Sequence, residues 1–275
     1  MDGEKMLRIE NVSEENLEDG IDLCSGNRAF AVASNPIVEK GREIRRRWIS
    51  NMLRQYGSCM KIAYLGEKPV GQILFYPEEA LPYLHNPRKD VIYSKCIYIS
   101  LPEARGKGIG SSLLKSLVDE CHEGLDCLGG RPCRFIVTRS FPHEGDLPLD
   151  DFYEKRAFRK GDQEMFLEIN DKYVPQEIPG IRPLQEDRGK IVATYNPDCE
   201  WGYFYAATTG EIFQGKYPIE IFNSWEKPEE YKKRGGGWML IAVGILANSR
   251  VPENPYGFWT DRQAFVKNVE TALQQ

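Results

Sequence analysis

One stretch of this chain constrains it more than any other. An apolar, strand-like run, Val91 to Ser100 (VIYSKCIYIS), leads through Leu101-Pro102-Glu103-Ala104 into Arg105-Gly106-Lys107-Gly108-Ile109-Gly110-Ser111. Beyond it Ile109, Leu113, Leu114, Leu117, Val118 and Cys121 recur at helical spacing and give a helix one apolar face. A helix start leaves its first backbone N–H groups unpaired and carries partial positive charge. Glycine lets the backbone turn tightly and approach a ligand with no Cβ in the way. With Arg105 and Lys107 beside it, the loop reads as a cradle for an anion, phosphate above all. A Walker A loop needs GxxxxGK[ST], and the Rossmann fingerprint needs GxGxxG in a first βαβ unit; GKGIG is neither.

The elements around the loop are legible. Met6 to Val12 reads as a strand, and Ser13-Glu14-Glu15 opens a capped helix. A second helix runs from about Ile37 to Tyr56, with Ile44, Trp48, Ile49, Met52 and Leu53 on one face. Its other face carries Arg42, Arg45, Arg46, Arg47 and Arg54, as a solvated surface or as the rim of a groove for an acidic substrate. Met60 to Leu65 and Val70 to Tyr76 form a hairpin through Gly66 to Pro69. After the loop helix come a strand, Arg134 to Ser140, a short helix from Asp151 to Arg156, and a strand from Glu164 to Ile169. A proline-bearing linker follows, and then the pattern restarts. Lys190 to Tyr195 is a strand, Glu200 to Phe213 a helix, Ile219 to Asn223 a strand and Pro228 to Arg234 a helix. Strand sequence over Gly237 to Asn248 and an amphipathic helix from Asp261 to Gln274 close the chain. A length of 275 residues suits the resulting division into residues 1–172, a linker over 173–189, and residues 190–275.

Charge and composition narrow the function. A net charge of −5 argues against the whole chain being a nucleic-acid binder, which draws on a concentrated basic face. The longest apolar run, Gly237 to Ala247, falls well short of the ~20 residues that span a bilayer. Met1 leads into acidic sequence with no apolar signal region, so a cytoplasmic protein without membrane partners is expected. Seven cysteines in a chain this long read as reduced thiols. Cys121, Cys127 and Cys133 near His122 invite a metal, but zinc sites carry tighter ligand pairs, and no metal is expected.

Arg105-Gly106-Lys107-Gly108-Ile109-Gly110 resembles the R/Q-x-x-G-x-G/A loop of the GCN5-related N-acetyltransferases, the GNAT superfamily. Asp151-Phe152-Tyr153-Glu154-Lys155-Arg156-Ala157-Phe158 is similar to that family's second signature, FYEKxGF, with Ala157 where glycine is usual. The order of elements from Met6 to Ile169 follows the same family. The resemblance implies an α/β (α+β) chain that begins with the GNAT acyl-CoA N-acyltransferase fold and its mixed, mostly antiparallel sheet. It further implies acetyl-CoA as co-substrate and a small-molecule or peptide amine as acceptor, attacked directly in a ternary complex. Backbone groups of Ile97, Tyr98 and Ile99 would hold the pantetheine arm, and Arg105, Gly106, Lys107, Gly108, Ile109, Gly110 and Ser111 the pyrophosphate. Tyr153 stands where many members keep the acid that protonates the departing thiolate. A lysine-like amine, with pKa near 10.4, must also lose a proton. Glu78 and Glu79, at a strand end, are candidate bases, and His143 and Asp150 rival them. Sheet edges leave room for a homodimer.

The strand–helix order from Lys190 onward resembles a smaller thioredoxin-like α/β domain. Cys199 stands where that fold keeps its reactive cysteine, at a helix N-terminus, a position that lowers a thiol pKa. Gly202 replaces the second cysteine, and Gly235-Gly236-Gly237 replaces the usual proline. Such a tail, with Ile219 to Gly236 (IEIFNSWEKPEEYKKRGG), resembles the YoaP-type acetyltransferases. Aromatic crowding at Trp201, Tyr203, Phe204 and Tyr205 suggests that the tail caps the acceptor site. Two alternatives stay open: a CoA-binding sensor or scaffold without catalysis, and a thiol-dependent module acting through Cys199.

Overall fold

The computed structural model describes residues 6–25, 35–139, 149–176, 179, 182, 184–235, 239–242, 245–246 and 262–273. Strand β1 (Leu7–Asn11) and helices α1 (Leu17–Ser25) and α2 (Pro36–Tyr56) come first. Helix α2 starts cleanly because the Asn35 side chain accepts the Ile37 N–H at 2.8 Å and Pro36 brings a preset φ to the first turn. It ends at Gly57, whose φ of 86° few other residues adopt. Strands β2 (Met60–Leu65) and β3 (Lys68–Pro77) form the expected hairpin, and β4 (Ile92–Ile99) pairs antiparallel with β3. Then come α3 (Ile109–Glu123), β5 (Phe135–Thr138), α4 (Leu149–Glu154), β6 (Arg159–Lys160) and β7 (Met165–Glu168).

These strands form one 7-stranded sheet in the order β1-β2-β3-β4-β5-β7-β6. Only β4 and β5 run parallel; every other neighbouring pair is antiparallel. The apolar stripe of α3 (Ile109, Leu113, Leu114, Leu117 and Cys121) is buried in the same core as Ile62, Ile73 and Ile92 of the sheet. Strand β6 was not expected from the sequence. Two residues carry no periodicity, and its pairing of Arg159 with Phe166 and Lys160 with Met165 exists only once β7 is in place.

The second half builds a separate 4-stranded sheet. Strand β8 (Ile191–Tyr195), helix α5 (Glu200–Phe213), β9 (Ile219–Asn223), α6 (Pro228–Lys233), β10 (Met239–Ala242), β11 (Ile245–Leu246) and α7 (Arg262–Leu273) follow in turn. The sheet order is β11-β10-β8-β9, with β8 and β9 parallel and the other pairs antiparallel. The segment leading into it is anchored by Arg234, whose buried guanidinium donates to Asp187 at 2.6 and 3.0 Å. Bidentate, charge-assisted pairing of this kind offsets the cost of burying both charges.

The two sheet units share a packed boundary. Trp48 of α2 meets Trp225 edge-on at 5.1 Å, and Tyr83 meets Tyr231 of α6 at 5.4 Å. Helix α2 crosses α5 so closely that a Cβ at Gly41 would stand 2.9 Å from the Glu200 carbonyl oxygen. Gly→Ala inside a helix normally stabilises by about 1 kcal/mol. For Gly41→Ala the contact reverses the sign, and a net loss of about 1–3 kcal/mol is expected from chemical denaturation.

Candidate active site

The site starts from an irregularity in β4. Leu74 of β3 pairs with Cys96, but Phe75 pairs with Ser94, so Lys95 is an extra residue, a β-bulge. A bulge bends its strand and re-aims side chains. Pairing of β4 with β5 is confined to Ile92 with Ile136 and Tyr93 with Val137, and the Thr138 hydroxyl donates to the Ser94 carbonyl at 2.9 Å. Beyond that point β4 has no ladder to β5 among the described residues. Ile97, Tyr98 and Ile99 pair with Ile73, Gln72 and Gly71, and their other edge has no ladder to β5.

At the far end of β4, a 3-10 turn over Pro102–Ala104 leads into the glycine loop. Gly106 and Gly108 have φ of 72° and 77°, in the region that favours glycine, and Gly108 is the N-cap of α3. A Cβ built at either meets nothing within 4 Å, so both face open space in front of the helix end. Arg105, Gly106, Lys107 and Gly108 are exposed, and the Arg105 Nε donates to the Ile99 carbonyl at 3.3 Å. Gly110 lies 3.4 Å (as a built Cβ) from the Phe152 ring, which seats α4 against the start of α3. The open glycines, cations and free helix end suit the phosphates of a CoA-type ligand.

The structure adds a cation that motif reading passed over. Arg156 donates to Ser111 Oγ through Nε at 3.1 Å and also through Nη2, and its guanidinium lies 3.7 Å above the Phe152 ring. Partial burial holds its pKa below the ordinary arginine value. The signature FYEKxGF treats that position as variable, so only the fold could reveal that it joins the loop.

Tyr153 is brought to the splay itself. It is 2% exposed, packed between Phe152 and Phe158 with ring separations of 5.2 and 4.9 Å. Its hydroxyl lies 3.5 Å from the Ser94 hydroxyl. Burial raises its pKa, against the pull of Ser94 and Thr138, so the phenol keeps its proton. The expected loop, the β4 edge and Tyr153 therefore meet in one place.

The candidate bases do not join them. Glu78 is 2% exposed and both its oxygens are taken by Arg88, at 2.9 Å to Nε and 2.5 Å to Nη2, with the Arg88 N–H adding a bond at 2.8 Å. Arg88 also binds Glu164 at 2.7 Å and the Val174 carbonyl, so Glu78 belongs to a structural clamp, a correction to its expected role. Glu79 is exposed, accepts the Asp90 N–H at 3.3 Å, and lines an open cleft of about 290 Å³ with Trp48, Gln55, Pro82 and Trp225. Asp150 pairs with Lys160 at 3.6 Å. His143 lies outside the described residues.

Two further expectations are corrected. Arg45 is not part of a solvated basic face but fully buried, donating to the Ile21 carbonyl at 2.9 Å and Gln72 Oε1 at 2.8 Å. Its neighbours Arg42 and Arg46 pair with Asp22 and Glu18, which removes most of the proposed basic groove. Cys199 is the N-cap of α5, yet burial, with Cys24 and Asp198 nearby, pushes its thiol up to about 12. Desolvation outweighs the helix end there. Cys121, Cys127 and Cys133 are buried in the core, and among the described residues no group of three His, Cys, Asp or Glu is arranged to hold a metal. Among the described residues no helix is long and apolar enough to cross a membrane.

Residues 29–130 match the acetyltransferase (GNAT) family. That stretch of the chain is a GNAT-type acetyltransferase domain. The matched span takes in the glycine loop and stops before Tyr153. No curated protein sequence matches the chain. Solved structures similar to it include a GNAT family acetyltransferase from Brucella melitensis in complex with acetyl-CoA, at 17% identity and TM-score 0.43, covering 62% of this chain and 93% of that one. Another is the PaiA N-acetyltransferase from Thermoplasma acidophilum in complex with coenzyme A, at 17% identity and TM-score 0.40, covering 61% and 99%. A third is the ribosomal-protein-S18-alanine N-acetyltransferase from Escherichia coli, at 13% identity and TM-score 0.40, covering 62% and 99%.

Where the family signature has glycine, Ala157 has a φ of 66°. A side chain in that conformation costs roughly 1–2 kcal/mol. Ala157→Gly is therefore expected to raise the melting temperature, by about 1 kcal/mol of stability, where Ala→Gly elsewhere lowers it.

Proposed function

We propose that the protein transfers the acetyl group of acetyl-CoA to a primary amine by direct attack in a ternary complex. The observation that carries this is the convergence of three elements: the open glycine cradle at α3, the edge of β4 past its ladder with β5, and the Tyr153 hydroxyl beside Ser94. When bound, acetyl-CoA supplies an acyl thioester that a neutral amine can attack. The N–H groups of Gly106 to Gly110, with Arg105, Lys107 and Arg156, hold the phosphates, and Ser111 is oriented by Arg156. Backbone groups of Ile97, Tyr98 and Ile99 orient the pantetheine arm along the edge that β5 leaves open. Tyr153 keeps its proton until the sulfur departs. A phenol of pKa about 10 can protonate a thiolate of conjugate-acid pKa about 8.5 only when well placed, so its fixed position matters more than its acidity.

The acceptor is a small-molecule or peptide amine. The second unit fits a thioredoxin-like reading: β-α-β-α-β-β-α order, parallel β8 and β9, antiparallel β10 and β11. A division into residues 1–172, 173–189 and 190–275 fits the two sheets, and a YoaP-type relationship fits the order of the two units. The raised Cys199 thiol argues against a redox role for that unit.

Titrating acetyl-CoA into the purified protein tests the reading. Gly108→Asp puts a negative charge into the cradle; its Cβ meets open space, its φ of 77° costs roughly 1–2 kcal/mol, and a melting curve checks that the variant is folded. The wild type is expected to bind in the micromolar range and the variant at least tenfold more weakly, about 1.4 kcal/mol or more. Equal binding would show that the loop holds no phosphate.

A further inference from the structure

The 4-stranded unit brings a carboxylate to the bulge of β4. Asp198, in the loop between β8 and α5, is 2% exposed, and among the described residues neither of its oxygens has a hydrogen-bond partner. Its neighbour across the boundary is Lys95, the bulged residue of β4, with Nζ to Oδ2 at 4.0 Å, too long for a hydrogen bond. Consecutive β4 residues thus reach two different partners: Ser94 meets Tyr153, and Lys95 meets Asp198. A lysine reaches about 6 Å from its Cα, so the carboxylate lies within about 10 Å of the point where β4 leaves β5.

The loop that carries Asp198 is built, not loose. Asn196 is 4% exposed and its Oδ1 accepts from Ser224 Oγ at 2.9 Å and from Tyr231 Oη at 3.2 Å. The tight crossing of α2 and α5 at Gly41 fixes the other side. The Tyr83 hydroxyl, 8% exposed and also without a partner among the described residues, faces the same ion pair. Burying a carboxylate and a phenol with bonds unmade costs stability, and active sites are where folds carry that cost. Burial raises the Asp198 carboxyl above its usual range, against the pull of Lys95 and Arg45, which makes it a better proton acceptor than an exposed carboxylate.

We propose that Asp198, carried by the second sheet unit, is the catalytic proton acceptor of the transfer site, and that the acceptor is a small primary amine admitted between the two units. It rests on the acyl-transfer reading above. Asp198 takes one proton from the acceptor's ammonium group. The nitrogen–carbon bond then replaces the carbon–sulfur bond, Tyr153 gives its proton to the departing sulfur, and the second nitrogen proton returns through solvent to Tyr153. One proton is released in all. The Lys95 and Asp198 side chains are only 16% and 1% exposed, a setting that suits a compact amine rather than a folded protein's lysine.

The test uses the full chain, acetyl-CoA, a panel of small primary amines and a lysine-bearing peptide. Asp198→Asn keeps the shape and removes the base. Its kcat/KM for the best amine is expected to fall about 10²–10⁴-fold, with acetyl-CoA binding by calorimetry within twofold of the wild type. Asp198→Ala with added formate is expected to regain part of the rate, which a merely structural residue would not show. Titration of the best amine alone into Asp198→Asn should show at least tenfold weaker binding. Turnover by Asp198→Asn within threefold of the wild type overturns the assignment, as does loss of acetyl-CoA binding in both variants, which would make Asp198 a folding residue. A preference for the peptide over every small amine overturns the substrate class. A wild type that binds acetyl-CoA but acetylates nothing sinks the acyl-transfer reading, and the Asp198 assignment with it.

Discussion

The bulge at Lys95 is the constraint on which the site depends. One extra residue shifts the register between Leu74 and Phe75, and the Thr138–Ser94 hydrogen bond is the last contact of β5 along β4. Strand β5 ends at Thr138, level with Ser94, so its ladder with β4 does not extend to Ile97, Tyr98 and Ile99. At the bulge Ser94 meets Tyr153 and Lys95 meets the second unit. An irregularity of one residue thus sets which partners the side chains around it reach.

The glycine cradle works because everything around it is tied down. Phe152 sits against Gly110, Arg156 stacks on Phe152 and grips Ser111, and Tyr153 is wedged between Phe152 and Phe158. The second signature therefore reaches the phosphate end and Ser94 at once, through Phe152 and Tyr153 of α4 and Arg156 just past its end. The buried pairs Glu78–Arg88 and Asp187–Arg234 play a different part. Each closes a polar network that fastens a connecting segment, and neither presents a group to the cleft.

Much of the fold was legible because local physics decided it. The hairpin of β2 and β3 followed from alternating apolar residues around a Gly-Pro turn, and α2 followed from its apolar stripe. Helix α5 and strand β9 have the bounds that periodicity assigned to them. What failed depended on distant partners. Strand β6 needs β7, Arg45 looked like one of five surface arginines until α1 and β3 closed over it, and Glu78 looked available until Arg88 arrived from ten residues on. At Cys199, too, packing overrides a local signal. A helix N-terminus is a local feature, whereas the desolvation that overrides it comes from packing against α1 and β4.

The sequence by itself determined the strand–loop–helix that makes an anion cradle, because glycine's freedom at positive φ and the unpaired N–H groups of a helix start are local properties. It also carried the second signature and the restart of pattern after the linker. Only the tertiary structure decided that β4 parts from β5 beyond Tyr93, that Arg156 joins the cradle, and that Asp198 meets Lys95 across the boundary between the two sheets. Strand register and burial are set by partners far along the chain. A buried carboxylate's chemistry comes from what surrounds it, and no spacing in the sequence records that.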